Sequence, residues 1–231
     1  MSKFILYEKK FAKNMKLKTL NEVAKSICKI KRNGGQGTGF FLKIEKNGKQ
    51  LYILVTAYHV LPQLHFIEKF EIISDNGNIK KIISLHRRER RIEYLSKYDI
   101  TAIEIIDKDN LKGKVKFLNY DSNCIKEVYK NYLYTDAFTL FHPYGNELEC
   151  SSGKIIKVEA PLDFQFIHNL DTYPGASGSP ILLFEKLNEE PKVIGVHTSA
   201  SNINKNNIGS FIDVLINKLE YKFIVEKKKK I

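Results

Sequence analysis

Short apolar runs, broken at near-regular intervals by turn residues, restrict this 231-residue chain more than any other feature. Candidate strands are Ser26–Lys31, Gly39–Glu45, Gln50–Thr56, Phe66–Ser74, Ile79–Leu85, Asp99–Ile106 and Val115–Leu118. A second series follows at Leu133–Phe141, Ser152–Val158, Phe164–His168, Ser179–Leu183, Val193–Thr198 and Gly209–Ile212. Turn signals at Asn47-Gly48, Asn76-Gly77, Lys112-Gly113 and Tyr144-Gly145-Asn146 punctuate them. Asn-Gly between apolar runs marks a hairpin, because the tight turn needs positive φ at its central residues. A good helical pattern appears late, at Ile212–Tyr221, where Ile212, Leu215, Ile216 and Leu219 recur at three- and four-residue steps. The pattern predicts an all-β protein of two six-stranded antiparallel β-barrels with a C-terminal helix. Charge thickens near Ile106–Lys114 and divides the strands into two halves. The expected boundaries are an N-terminal extension over residues 1–25, a first barrel over 26–110, a second over 111–212, and a helix with a basic tail over 213–231. A site would lie in the crevice between the halves.

Composition narrows the class. Hydrophobic residues at 43% and charged residues at 28% describe a globular chain and exclude disordered or collagen-like ones. A chain of this length buries roughly 70% of its unfolded surface and needs no disulfide or metal staple. Lys and Arg outnumber Asp and Glu by 38 to 26, a net charge of +12 that favours anionic partners without choosing among them. Cys28, Cys124 and Cys150 are too scattered for a disulfide scaffold or a zinc site and read as free thiols. No apolar run approaches the ~20 residues of a spanning helix. The N-terminal apolar stretch is only Phe4–Tyr7, so the expected location is intracellular and cytoplasmic. The Lys227–Lys230 run reads as a solvated tail.

Three segments carry chemistry. Pro174-Gly175-Ala176-Ser177-Gly178-Ser179-Pro180 places a serine between glycines ahead of a strand, which suits a tight turn that exposes a hydroxyl beside converging amides. Leu54-Val55-Thr56-Ala57-Tyr58-His59-Val60 ends an apolar strand on a histidine, the commonest general base. Lys97-Tyr98-Asp99-Ile100-Thr101-Ala102-Ile103 opens an apolar strand with a carboxylate that strand propensity disfavours. Taken singly these are a turn, a surface histidine and a turn-forming aspartate. Their order along the chain, His59, Asp99, Ser177, is that of one known arrangement of the serine-hydrolase triad, with the histidine and aspartate in the first half and the serine in the second.

On these residues, with GTGF at 37–40 and YDITAIEI at 98–105, the chain resembles the trypsin/chymotrypsin-like serine peptidase family over roughly residues 26–221. The resemblance implies a serine endopeptidase without cofactor or metal, acting on polypeptide through His59, Asp99 and Ser177, with the amides of Gly175 and Ser177 as oxyanion donors. Within the family, the segment from Asp171 to Pro180, followed by Ile194-Gly195-Val196-His197-Thr198, is similar to the glutamyl endopeptidase-like bacterial branch. That likeness implies that Thr172, His197 and Thr198 line a specificity pocket and that cleavage follows Glu or Asp. Two departures stand out. Ala176 occupies the place where digestive members carry an aspartate that pairs with a freshly cut N-terminus, and about 25 residues precede the first strand with no evident processing site.

Other features have plainer readings. Gly34-Gly35-Gln36-Gly37-Thr38-Gly39 has neither the helix nor the lysine of a phosphate loop and reads as a hairpin approach. His65 lacks a metal-site pattern, His142-Pro143-Tyr144-Gly145 reads as a turn, and His86–Arg91 as a solvated basic loop. The rival to an enzyme is a catalytically inactive protease-fold module that binds partners through its basic surface. Direct nucleic-acid binding has no motif behind it.

Overall fold

Hairpin turns fold β1 (Ile27–Arg32), β2 (Gly35–Lys46) and β3 (Lys49–Ala57) into an antiparallel meander, with Arg32 paired to Gly35 and Lys46 to Lys49. The computed structural model describes residues 17–46, 48–64, 68–74, 77–123, 129–159, 164–183, 190–200 and 206–219. His65, Cys124, Asn47, Asn76, Lys227–Lys230 and residues 1–16 lie outside the described residues. To the meander are added β4 (Lys69–Ser74), β5 (Ile79–Ser84), β6 (Ile92–Leu95) and β7 (Ile100–Glu104), in the sheet order β5-β4-β1-β2-β3-β7-β6. This first sheet is an open half-barrel, since β5 and β6 stand at its two ends.

The second sheet holds β8 (Asn119–Tyr120), β9 (Asp136–Phe141), β10 (Glu149–Val158), β11 (Gln165–His168), β12 (Pro180–Leu183), β13 (Lys192–Ala200) and β14 (Asn207–Phe211). Its order is β12-β9-β10-β11-β14-β13-β8, and a further pairing of β12 with β13 closes six of the strands into a barrel. The fold class expected from the periodicity is the one observed, with one sheet closed and the other curled but open. The expected strand at Val115–Leu118 is instead an extended connection making isolated bridges to Lys112 and Leu42. Two strands escaped the sequence reading: β6, four residues long behind a basic run, and the two-residue β8, which pairs in parallel with β13.

Helix α1 (Leu17–Ala24) turns Leu20 and Val23 inward, and α2, over residues 213–219, does the same with Leu215, Ile216 and Leu219. One apolar cluster runs through both sheets, joining Phe40, Leu42, Ile53 and Val55 to Phe138, Leu140, Phe166 and Phe211. At roughly 1.5–3 kcal/mol per buried side chain of this size, it holds the two halves together across the seam. Cys28 and Cys150 are free thiols whose titration burial pushes upward. The basic His86–Arg91 segment is not solvated throughout. Arg90 is buried and forks onto Asp109 with two 2.8 Å hydrogen bonds, so a guanidinium expected in water instead ties this loop to the charge-dense connection after β7.

Candidate functional site

Strand pairing itself brings the histidine and the aspartate together. The register of β3 on β7 sets Ala57 opposite Ile100, so the residues leaving one strand face those entering the other. Tyr58 donates its amide to the Asp99 carbonyl at 3.0 Å. The Asp99 carboxylate then takes two hydrogen bonds from His59, its Oδ1 from the backbone N–H at 2.9 Å and its Oδ2 at 2.7 Å from Nδ1. Asp99 adopts a left-handed conformation (φ 52°) at the end of a 3-10 turn, a strained placement for a non-glycine residue. That conformation swings the carboxylate back toward the end of β3. Arg32 steadies the turn that follows β3 by donating Nε to the Val60 carbonyl at 2.7 Å.

Ser177 reaches this place from the other barrel. Thr38 on β2 donates its amide to the Ser177 carbonyl at 2.9 Å. Gly178 (φ +89°) lies so close to β3 that a Cβ there would fall 2.2 Å from the Thr38 carbonyl and 2.8 Å from the Ala57 nitrogen. Glycine is therefore required beside the serine both for backbone angle and for room. Within the turn, Ala176 donates to Tyr173, Gly178 to His197 and Ser179 to Ala176. Among the described residues, the amides of Gly175 and Ser177 donate to no protein acceptor, and the Ser177 hydroxyl makes no hydrogen bond. The His59–Asp99 contact is thus made, while among the described residues no hydrogen bond joins His59 to Ser177.

Behind the serine, His197 is 3% exposed on β13, and its Nδ1 lies 3.2 Å from Nε2 of His168, a fully buried residue on β11. Burial first, and then the neighbouring His59, lower the His197 pKa to about 4, with Asp99 acting in the opposite sense. Their charges thus reach His197, which lies within electrostatic range of the His59–Asp99 pair. His168 is held well below its ordinary value by burial and then by His197. Thr172 donates its hydroxyl to Oδ1 of Asn207 at 2.9 Å, and Thr198 donates to the Ile208 carbonyl at 3.1 Å. Of the three residues expected to line a pocket, His197 alone has a ring nitrogen uncommitted to a protein partner among the described residues. His168, Asn207 and the role of Thr38 were missed by the sequence reading. An inward-facing histidine in a short apolar strand was the available sign of the first.

These imidazoles link stability to pH. Each is neutral when folded, with a pKa depressed below the unfolded value of about 6.5, so between the two values the unfolded chain binds more protons. The stability is fully present above about pH 6.5 and drains away as pH falls toward the folded pKa. Unfolding free energies are expected to drop between neutral pH and about pH 5, by on the order of 2 kcal/mol for His197, with a further loss from His168 in the same direction. His197→Phe is expected to flatten part of that slope.

No protein-family model matches the chain, and no curated protein matches it by sequence. Solved structures do match. The Rv3671c protease from M. tuberculosis in its active form superposes with a TM-score of 0.62 at 16% identity, covering 87% of this chain and 82% of that one. A serine endoprotease from Yersinia pestis gives 0.60 at 11%, covering 90% and 66%. The HtrA-type protease AlgW, solved with a tripeptide, gives 0.61 at 12%, covering 87% and 61%. The chain has the chymotrypsin-like protease fold.

Proposed function

We propose that the chain is a serine endopeptidase. The observation that carries this reading is the doubly hydrogen-bonded His59–Asp99 pair at the seam where the glycine-flanked Ser177 turn of the other barrel docks. Ser177 attacks the scissile carbonyl, His59 takes its proton and later delivers it to the leaving amine, and Asp99 holds the imidazole with Nδ1 protonated. The developing oxyanion is received by the amides of Gly175 and Ser177. The likeness to serine proteases supports the reaction class. A fluorophosphonate probe tests it: labelling at Ser177 supports the reading, and folded protein that stays unlabelled points to the inactive binding module.

The acyl side of the site prefers glutamate or aspartate, with His197 as the recognising group. The buried pair has two neutral arrangements. If His197 donated from Nδ1, His168 would carry a buried N–H with no acceptor, because its Nδ1 has no partner among the described residues. Orphaned buried N–H groups are rarer than under-satisfied acceptors, so His168 Nε2–H donates to His197 Nδ1 and leaves the His197 Nε2–H uncommitted, a donor for an acidic side chain. A hydrogen bond to a charged group is worth roughly 1.5–3 kcal/mol, so His197→Ala is expected to lower selectivity for Glu over Leu by ~10–100-fold in a peptide-library profile. His168→Phe lowers it by a smaller factor. A wild-type profile dominated by Lys, Arg or aromatic residues would rule out the acidic pocket.

A further inference from the structure

Thr38 has been given no part in the proposed reaction, yet from the first sheet it hydrogen-bonds two carbonyls of the serine turn, those of Gly175 and Ser177. Its side chain is fully buried. The hydroxyl donates to the Gly175 carbonyl at 2.7 Å and accepts the His142 amide at 3.0 Å. Its own amide donates to the Ser177 carbonyl at 2.9 Å, and its carbonyl accepts the Thr56 hydroxyl at 2.7 Å. Such closeness needs a small neighbour: a Cβ on Gly37 would sit 2.6 Å from a Val60 methyl and 3.0 Å from the Ser177 carbonyl.

These bonds complete a set. A trans peptide is planar, so pinning a carbonyl fixes the direction of the N–H on its far side. The Pro174 carbonyl accepts the Tyr144 amide at 2.5 Å, which aims the Gly175 N–H. The Ala176 carbonyl accepts the Ser179 amide at 2.9 Å, which aims the Ser177 N–H. Thr38 pins the two peptides between and beyond these, through the Gly175 and Ser177 carbonyls. It also holds His142, the residue that leads into Tyr144, itself kept in a left-handed conformation at φ 51°. All four carbonyls from Pro174 to Ser177 are therefore tied, two directly by Thr38 and one through the loop it anchors.

We infer that Thr38 is the positioning residue that locks the oxyanion turn of one barrel onto the other, through its hydroxyl and its amide. This rests on the peptidase reading. Position 176 is a fully buried alanine, with no carboxylate there to receive an N-terminal amine. Order in the turn comes from the inter-barrel clamp together with the Tyr144 and Ser179 bonds of the second barrel, so activity depends in part on how the barrels dock.

The test compares Thr38→Val, which keeps the shape and removes the hydroxyl, with Thr38→Ser, which keeps the hydroxyl. Thr38→Val is expected to lower kcat ~10–100-fold with KM within about threefold, and to weaken a peptide boronate inhibitor in parallel. Thr38→Ser should restore kcat to within about threefold of wild type, since the donor and acceptor are retained. Exchange of the hydrogen-bonded Ala176 and Gly178 amides should accelerate at least ~10-fold in the valine variant, with exchange in β4 and β5 unchanged. Equal kcat in Thr38→Val and wild type, or a loss that serine does not rescue, would overturn the clamp. Should wild type neither label nor cleave, the peptidase reading fails instead, and the exchange measurement alone decides whether Thr38 orders the turn.

Discussion

Ser177→Ala is expected to cut kcat for peptide hydrolysis by roughly ten-thousand- to million-fold while leaving the fold intact. The size follows from what the hydroxyl does: without it His59 has no proton to accept, and only binding and the oxyanion amides remain. Stability is spared for a separate reason. The Ser177 side chain is half-buried and makes no hydrogen bond among the described residues, so its removal strands no partner. The backbone contacts that hold the turn, Thr38 to the Ser177 carbonyl and Gly178 to His197, use main-chain atoms that alanine also supplies. Unfolding midpoints should agree within about 0.5 kcal/mol. Single-turnover cleavage with calorimetry on the same preparation checks both halves, and a variant that cleaves like wild type would end the assignment.

How far the sequence reached follows from which interactions are local. Strand periodicity and turn residues act over a few positions, so most strands were legible, as were the histidine after β3 and the aspartate before β7. Their meeting needed only that β3 and β7 be neighbours. Whether a sheet closes depends on pairing between distant edges, and nothing local distinguishes the open first sheet from the second, which β12 and β13 seal. Arg90 shows the same limit. Read in a run of five charged residues it belonged in water, and only the fold reveals Asp109 waiting 2.8 Å away in a dry pocket. His168 and Thr38 were hidden because each acts through a partner far along the chain, 29 positions for the first and 137 for the second.

Asp99→Asn isolates what the carboxylate contributes beyond geometry, and the expected loss in kcat is ~10,000-fold at neutral pH. Asparagine has nearly the same shape, so the His59 backbone N–H keeps an oxygen acceptor in place of the carboxylate's Oδ1. The other position changes from acceptor to donor. An amide N–H₂ facing Nδ1 forces that nitrogen to be bare, which moves the imidazole proton to Nε2, the atom that must be free to take the proton from Ser177. The ring stays in place in the wrong tautomer, and the imidazolium formed during attack loses its counter-charge. KM should change little, because substrate contacts are untouched, so the loss falls on kcat. Raising the pH is expected to recover part of it, since hydroxide can then deprotonate the serine without the base. A variant retaining more than about a tenth of wild-type kcat would mean that the 2.7 Å His59–Asp99 bond is structural and that the proton leaves Ser177 by another route.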